Sequence, residues 1–285
     1  MSNVPHEIAY TRYDAVRGLI WLREAAVMFA RARIAWLSLL LAYYVILIVL
    51  RMLPLIGMLA VPLLKPVFAV GFLAAAWTVE RGGKPRLAHL LQGFSSNLRA
   101  LLPLGFVFII GITIAVMASA VVDQGKLIEF LSNPPAGAQD GDSAAAEAIE
   151  DVLLDTRVQL GMLFAALCAL PVLLALWFAP ALVVFQDLRA RQALSTSLRA
   201  ALANWRALAA YALAVFVFAG VTPTLLVALL SALLSGLPDD ARVMLTYGVV
   251  LPYVAMLVAI LQISDYISYR DVFHAGESLA PLAPR

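Results

Sequence analysis

The stretch Leu101–Val122 reads LLPLGFVFIIGITIAVMASAVV, twenty-two residues without a charge. A helix rises ~1.5 Å per residue, so a run of this length crosses a hydrocarbon core ~30 Å thick. Five further stretches have the same character: Ile34–Leu50, Leu63–Val79, Val158–Phe185, Ala207–Leu234 and Val243–Ile263. Lipid offers no partner to an open backbone group, and none of these stretches alternates as a barrel strand does. The expectation is an all-α polytopic transmembrane helical bundle of about six spans.

Composition agrees. Of 285 residues, 63% are hydrophobic and only 13% charged, with a mean hydropathy of +0.92. Water-soluble domains carry roughly 25% charged residues, so a solvated surface is excluded. The small formal charge of +2 hides a marked sidedness. Fifteen of the 20 Lys and Arg residues lie in the N-terminal segment, the connections after spans two and four, and the C-terminal tail. The excess of basic residues on cytoplasmic loops predicts both termini in the cytoplasm. The acidic stretch 123–157 then faces outward between spans three and four. Around the six-span domain, residues 34–265, lie a cytoplasmic amphipathic segment (1–33) and a cytoplasmic tail (266–285). No short apolar signal core with a small-residue cleavage site is present.

The connections carry their own periodicity. Leu87, Leu90, Leu91, Phe94 and Leu98 fall on one face of an expected helix Leu87–Arg99. Leu194, Leu198, Ala201, Leu202 and Trp205 do the same over Leu194–Arg206. Both read as amphipathic interfacial helices, with Arg86, Arg99, Arg199 and Arg206 as candidate interfacial lipid contacts. In residues 13–32 a weaker pattern places Arg17, Glu24 and Arg31 seven apart. Asn97-Leu98-Arg99-Ala100-Leu101 returns as Asn204-Trp205-Arg206-Ala207-Leu208, which suggests an internal hairpin repeat. In the acidic stretch, Asn133–Gly137 and Gln139–Ser143 read as linker, and Ala144–Asp155 as a short helix with Ser143 as its N-cap.

Chemistry-bearing patterns are scarce. The three His residues are scattered, the single Cys168 reads as a packing residue, and no nucleotide-loop, metalloprotease or nucleophile-elbow motif occurs. No catalytic, cofactor-binding or metal-ligating set is expected, and the dispersed basic residues exclude a nucleic-acid groove. Lys65, in Pro62-Leu63-Leu64-Lys65-Pro66, is the candidate ligand or headgroup contact. A charge at a span centre costs ~2.5–3.5 kcal/mol, so Lys65 either snorkels to the outer headgroups or faces an anionic group inside the bundle. Pro66, Pro103, Pro171, Pro180, Pro223 and Pro252 kink or end spans. Asp123, Asp187 and Asp265 are expected at span ends, which counts against a proton-coupled carrier.

The runs Phe178–Val184 and Ala193–Ala200 with Asn204-Trp205, joined by Leu53–Gly57, resemble a family of uncharacterised proteobacterial inner-membrane proteins. That family is similar in turn to the membrane domain attached to some glycerophosphodiester phosphodiesterases. The resemblance implies a six-span helical domain and no activity, since the phosphodiesterase's catalytic domain is absent. The expected function is that of a non-enzymatic accessory, scaffold or lipid-interacting protein, with a permease for a small or lipidic solute as the alternative. Membrane lipids, a periplasmic partner at the acidic loop and a second copy of the chain are the partners kept open.

Overall fold

The computed structural model describes residues 8–53, 56–135 and 143–275. A first helix, α1 (Ala15–Arg31), is followed without a loop by α2 (Arg33–Arg51) and then α3 (Ile56–Glu80). A 3-10 turn, Leu87–Leu91, and a single turn, α4 (Gln92–Ser95), lead into α5 (Leu98–Asp123). Two short helices, α6 (Lys126–Ser132) and α7 (Ser143–Leu154), precede α8 (Thr156–Trp177) and α9 (Ala179–Phe185). The chain closes with α10 (Ala190–Ala203), α11 (Trp205–Phe216), α12 (Thr222–Leu233) and α13 (Asp239–Phe273). Six stretches are long and apolar enough to cross a membrane: Arg33–Arg51, Leu59–Glu80, Leu98–Asp123, Thr156–Phe185, Trp205–Leu233 and Asp239–Phe273.

The expected spans coincide with these, but their ends do not. Pro62 lies inside α3 together with Pro66. Between α2 and α3, Gly57 lets the two helices touch: a Cβ there would collide with the Leu50 carbonyl oxygen. The last helix runs eight residues past Asp265, to Phe273, so part of the expected tail is helix. The expected linker falls largely on residues 136–142, outside the described residues, as do Arg285 and the rest of 276–285.

All six spans meet at one end of the bundle, where Thr11 N–H donates to the Val272 carbonyl at 2.7 Å. This proximal end holds the core, with Trp21, Trp36, Phe68, Phe178, Leu182, Ile263, Tyr266 and Tyr269 fully buried. Each span contributes from its proximal half: Trp36–Leu40, Val67–Val79, Ala100–Leu104, Ala179–Val183, Ala207–Tyr211 and Leu257–Val272. Farther out α5 and α8 stay paired through Ala115, Ser119, Gly161, Ala165 and Ala169. Small residues permit that approach, since van der Waals packing rather than hydrophobicity joins helices in lipid. Toward the distal end, α12 buries no residue.

Breaks in the spans are repaired by side chains. Between α8 and α9, the fully buried Ser197 Oγ accepts the Phe178 N–H at 2.9 Å and donates to the Leu174 carbonyl at 3.0 Å. Before Pro223 the helix widens into a π turn, Val217–Val221. There Thr222 Oγ1 donates to the Val217 carbonyl and Tyr253 Oη to that of Phe218, at 2.9 and 2.7 Å. Such bonds satisfy carbonyls that proline strands in lipid.

Candidate functional site

Three places gather the polar chemistry of the described residues. The first is at the proximal end, where α1 lies across α11 and α13. Gly18, Trp21, Ala25 and Met28 form its buried face at helical spacing. A Cβ on Gly18 would collide with the Ala207 carbonyl oxygen and stand 2.9 Å from the Tyr211 nitrogen. Beside this contact, the Asp271 carboxylate accepts from Arg17 Nε at 2.5 Å, Trp21 Nε1 at 3.0 Å and Arg270 Nη2 at 3.0 Å. Glu24 pairs with Arg17 at 3.2 Å and with Arg270 at 2.7 Å. Glu80 closes the set from α3, bonded to Arg270 and to the Tyr266 hydroxyl. Two of the three heptad-spaced charges, Arg17 and Glu24, are therefore inner clasp residues. Asn204, also fully buried, fixes the entry to α1 by accepting the Tyr13 N–H and donating to the Thr11 carbonyl, at 2.8 and 3.0 Å.

The second place is inside the spans. Lys65 is exposed on α3, about 14 Å from its first residue and about 22 Å from Glu80. Its Nζ stands 4.5 Å over the Phe108 ring. The expectation that Asp265 marks a span end is corrected: α13 continues to Phe273, and Asp265 is half-buried within it. Adjacent Ser264 shares a 2.7 Å hydrogen bond with Tyr211, whose ring meets Trp177 edge-on at 5.4 Å.

The third is the distal acidic stretch. Asp123 is fully buried and caps α6, accepting the Gly125 and Leu127 N–H groups at 2.8 and 3.3 Å. Asp155 caps α8 by accepting the Arg157 N–H at 2.8 Å. Its hydrogen bond from Lys126, then that amide, hold its carboxyl below the usual carboxylate range. Two of the eight acids thus serve the turns. A cleft of ≈ 420 Å³ remains, lined by Lys126, Glu129, Phe130, Asp151 and Asp155 among others. Among the described residues no cluster of three or more His, Cys, Asp or Glu could hold a metal ion.

The candidate lipid contacts fall on separate elements. Leu87–Arg99 is not one helix: the chain turns extended at Ser96, and Arg99 belongs to the first turn of α5. Gly93, inside α4, lies so close to the Val67 carbonyl that a Cβ would not fit. Likewise α10 stops at Ala203, and Arg206 stacks 5.6 Å over Trp205 in α11. Packed inward on α10 are Ala193, Ser197, Ala200 and Ala201, while Leu202 and Trp205 are exposed. Arg86, Arg99, Arg199 and Arg206 are all exposed. Asn97 and Asn204 stand immediately before α5 and α11 respectively. Their partners differ: Asn97 Nδ2 reaches Asp187 at 3.4 Å.

His89 has a defined tautomer. Its Nδ1 accepts the Arg86 N–H at 2.9 Å, which leaves the proton on Nε2, 3.2 Å from Thr78 Oγ1. Thr78 in turn donates to the Ala74 carbonyl at 2.8 Å. Burial lowers the His89 pKa below its ordinary 6.5, the Arg86 backbone bond opposes this, and the Arg86 charge adds to it. A depressed imidazole pKa means that the unfolded chain takes up the proton first on acidification. Its contribution is full above about pH 6.5 and falls as pH drops below that value. The thermal midpoint in detergent is expected to fall between about pH 7 and about pH 5, and His89→Gln to flatten that limb. An identical pH profile in the variant would exclude His89 as its source.

No family model matches the sequence. Over 276 residues, 95% of this chain and 96% of the relative, it is 29% identical to a Burkholderia thailandensis protein described as a probable inner membrane protein. With six candidate spans in the structure, that similarity decides the class. This is a multi-pass inner-membrane protein. No solved structure matches it. The comparisons do not bear on the likeness to the phosphodiesterase membrane domain.

Proposed function

We propose that this inner-membrane protein is a non-enzymatic, lipid-interacting accessory or scaffold protein with its proximal end and both termini in the cytoplasm. One observation carries the reading: apolar and basic side chains are exposed together on the segments between spans. Leu87, Leu91, Leu202 and Trp205 are 58%, 58%, 54% and 60% exposed, and Arg86, Arg99, Arg199 and Arg206 are exposed in the same segments. An indole beside guanidinium groups suits the headgroup boundary of an anionic leaflet. The distal cleft, with its acids, would receive a periplasmic partner.

Native mass spectrometry of the protein released gently from its own membrane tests this. The expected result is reproducibly bound phospholipid, reduced when Trp205→Ser and Arg206→Gln are combined. A lipid-free protein holding a stoichiometric protein partner would refute the lipid reading and leave the accessory one.

A permease for a small or lipidic solute is the second reading, favoured by Lys65 and Asp265 standing inside the spans. Ligand-dependent flux in proteoliposomes would establish it.

A further inference from the structure

The helix α1 has two faces, and the fold uses one of them. Its inner face is docked, with Gly18 against Ala207 and Tyr211 and with Trp21, Ala25 and Met28 buried. On the opposite side, at helical spacing, stand Val16, Leu19, Arg23, Val27 and Ala30. Val16, Leu19 and Val27 are 64%, 49% and 51% exposed, and Arg23, Arg31 and Arg33 are exposed with them. Glu24 is the one acid within α1, and it is turned into the clasp. The outer face is therefore apolar and basic.

The level of α1 in the bundle is fixed along its length. Thr11 donates to the Val272 carbonyl, Arg17 and Trp21 donate to Asp271, and Glu24 accepts from Arg270. Contacts from Thr11 to Glu24 thus fall on three consecutive residues of α13, so α1 crosses that helix at its proximal end. After Arg31 only Ala32 intervenes before α2 begins at Arg33. Because Arg33–Arg51 is a candidate span, its first residue marks the proximal membrane boundary. Gly18 meets the flank of α11 and not its end, so the outer face points sideways from the bundle at that boundary.

We infer that the outer face of α1 is embedded in the proximal leaflet, with Val16, Leu19 and Val27 among the upper acyl carbons and Arg23 and Arg31 on anionic phospholipid headgroups. An apolar stripe set among guanidinium groups is what an in-plane interfacial helix presents, and basic residues there are attracted to anionic lipid. Lipid is the occupant because continuity with α2 holds the helix at the membrane boundary. The inference rests on the lipid-interacting reading and adds a surface separate from Trp205 and Arg206.

The test attaches a fluorophore at Leu19→Cys or Val27→Cys in the full chain, with Cys168→Ser as background, in nanodiscs of phosphatidylglycerol and phosphatidylcholine. Phospholipid spin-labelled near its headgroup is expected to quench both sites at least about threefold more than acrylamide in the water. Arg23→Gln combined with Arg31→Gln, or phosphatidylcholine alone, should weaken the lipid quenching, with the thermal midpoint checked for every variant. Acrylamide as the stronger quencher puts the face in water and overturns the inference. Shielding from both quenchers shows a protein cover, a second copy or another chain, and also overturns it. Lipid quenching indifferent to phosphatidylglycerol and to the Arg substitutions overturns the anionic partner. Each of these outcomes leaves the surface at Trp205 and Arg206 untouched, whereas protein released from its membrane without phospholipid defeats the proposed function itself.

Discussion

Asp271→Ala is expected to lower the thermal midpoint of the detergent-solubilised protein more than any other single charge removal. The carboxylate is 5% exposed and accepts bonds from Arg17, Trp21 and Arg270. Removing one member of a buried ion pair costs about 3–5 kcal/mol, because the partner charge stays behind without compensation. Here Arg17 retains Glu24, and Arg270 retains Glu24 and Glu80, so about 3 kcal/mol is expected. Asp271→Asn keeps an acceptor for Trp21 and should lose less. A double-mutant cycle of Asp271→Asn with Arg17→Gln should show a coupling of about 1 kcal/mol or more. Additive effects would mean that the clasp does not act as a unit.

The second large effect is expected at Gly18. The α1 backbone lies directly on the Ala207 carbonyl and the Tyr211 nitrogen, so the added Cβ of Gly18→Val meets backbone, which cannot rotate away. Overpacking costs about 1–3 kcal/mol where neighbours yield. Where they cannot, α1 must lift and also forfeit the clasp. The six spans do not need α1 for insertion, so membrane expression should persist. Trypsin cleavage at Arg17, Arg23 and Arg31 is expected to accelerate at least tenfold. Cleavage at the parental rate would show that α1 docks without this contact.

Much of the architecture was legible in the sequence for a simple reason. A span is a local property, since bilayer thickness and backbone satisfaction act on each twenty-residue window separately. Hence Leu101–Val122 and four of its counterparts fall within a few residues of their helices, whereas Val243–Ile263 stops well short of Phe273. Lys65 was also legible, because one charge in an apolar window is conspicuous. The helical spacing of Leu87 to Leu98 misled, because periodicity does not register that the chain turns extended at Ser96. Asp265 was misread because apolar windows end two residues before it, whereas the helix continues under cover of α1 and α3. The eight distal acids suggested one charged surface, yet Asp123 and Asp155 are consumed as helix caps.

By itself the sequence determined the class, the number of crossings and the uneven placement of basic residues, all of which follow from transfer energies summed along the chain. Only the tertiary structure decided which polar groups are spent on holding the fold and which are left over. Arg17 and Asp271 are 254 residues apart, as far as Ser197 and Leu174 are close at 23, and both pairs form bonds that no periodicity announces. Pairing depends on where helices cross, and crossing in lipid depends on small-residue contacts such as Gly18 on Ala207 and Gly105 on Leu63. The contact of Gly18 on Ala207 stands beside the clasp and sets how closely α1 can approach it.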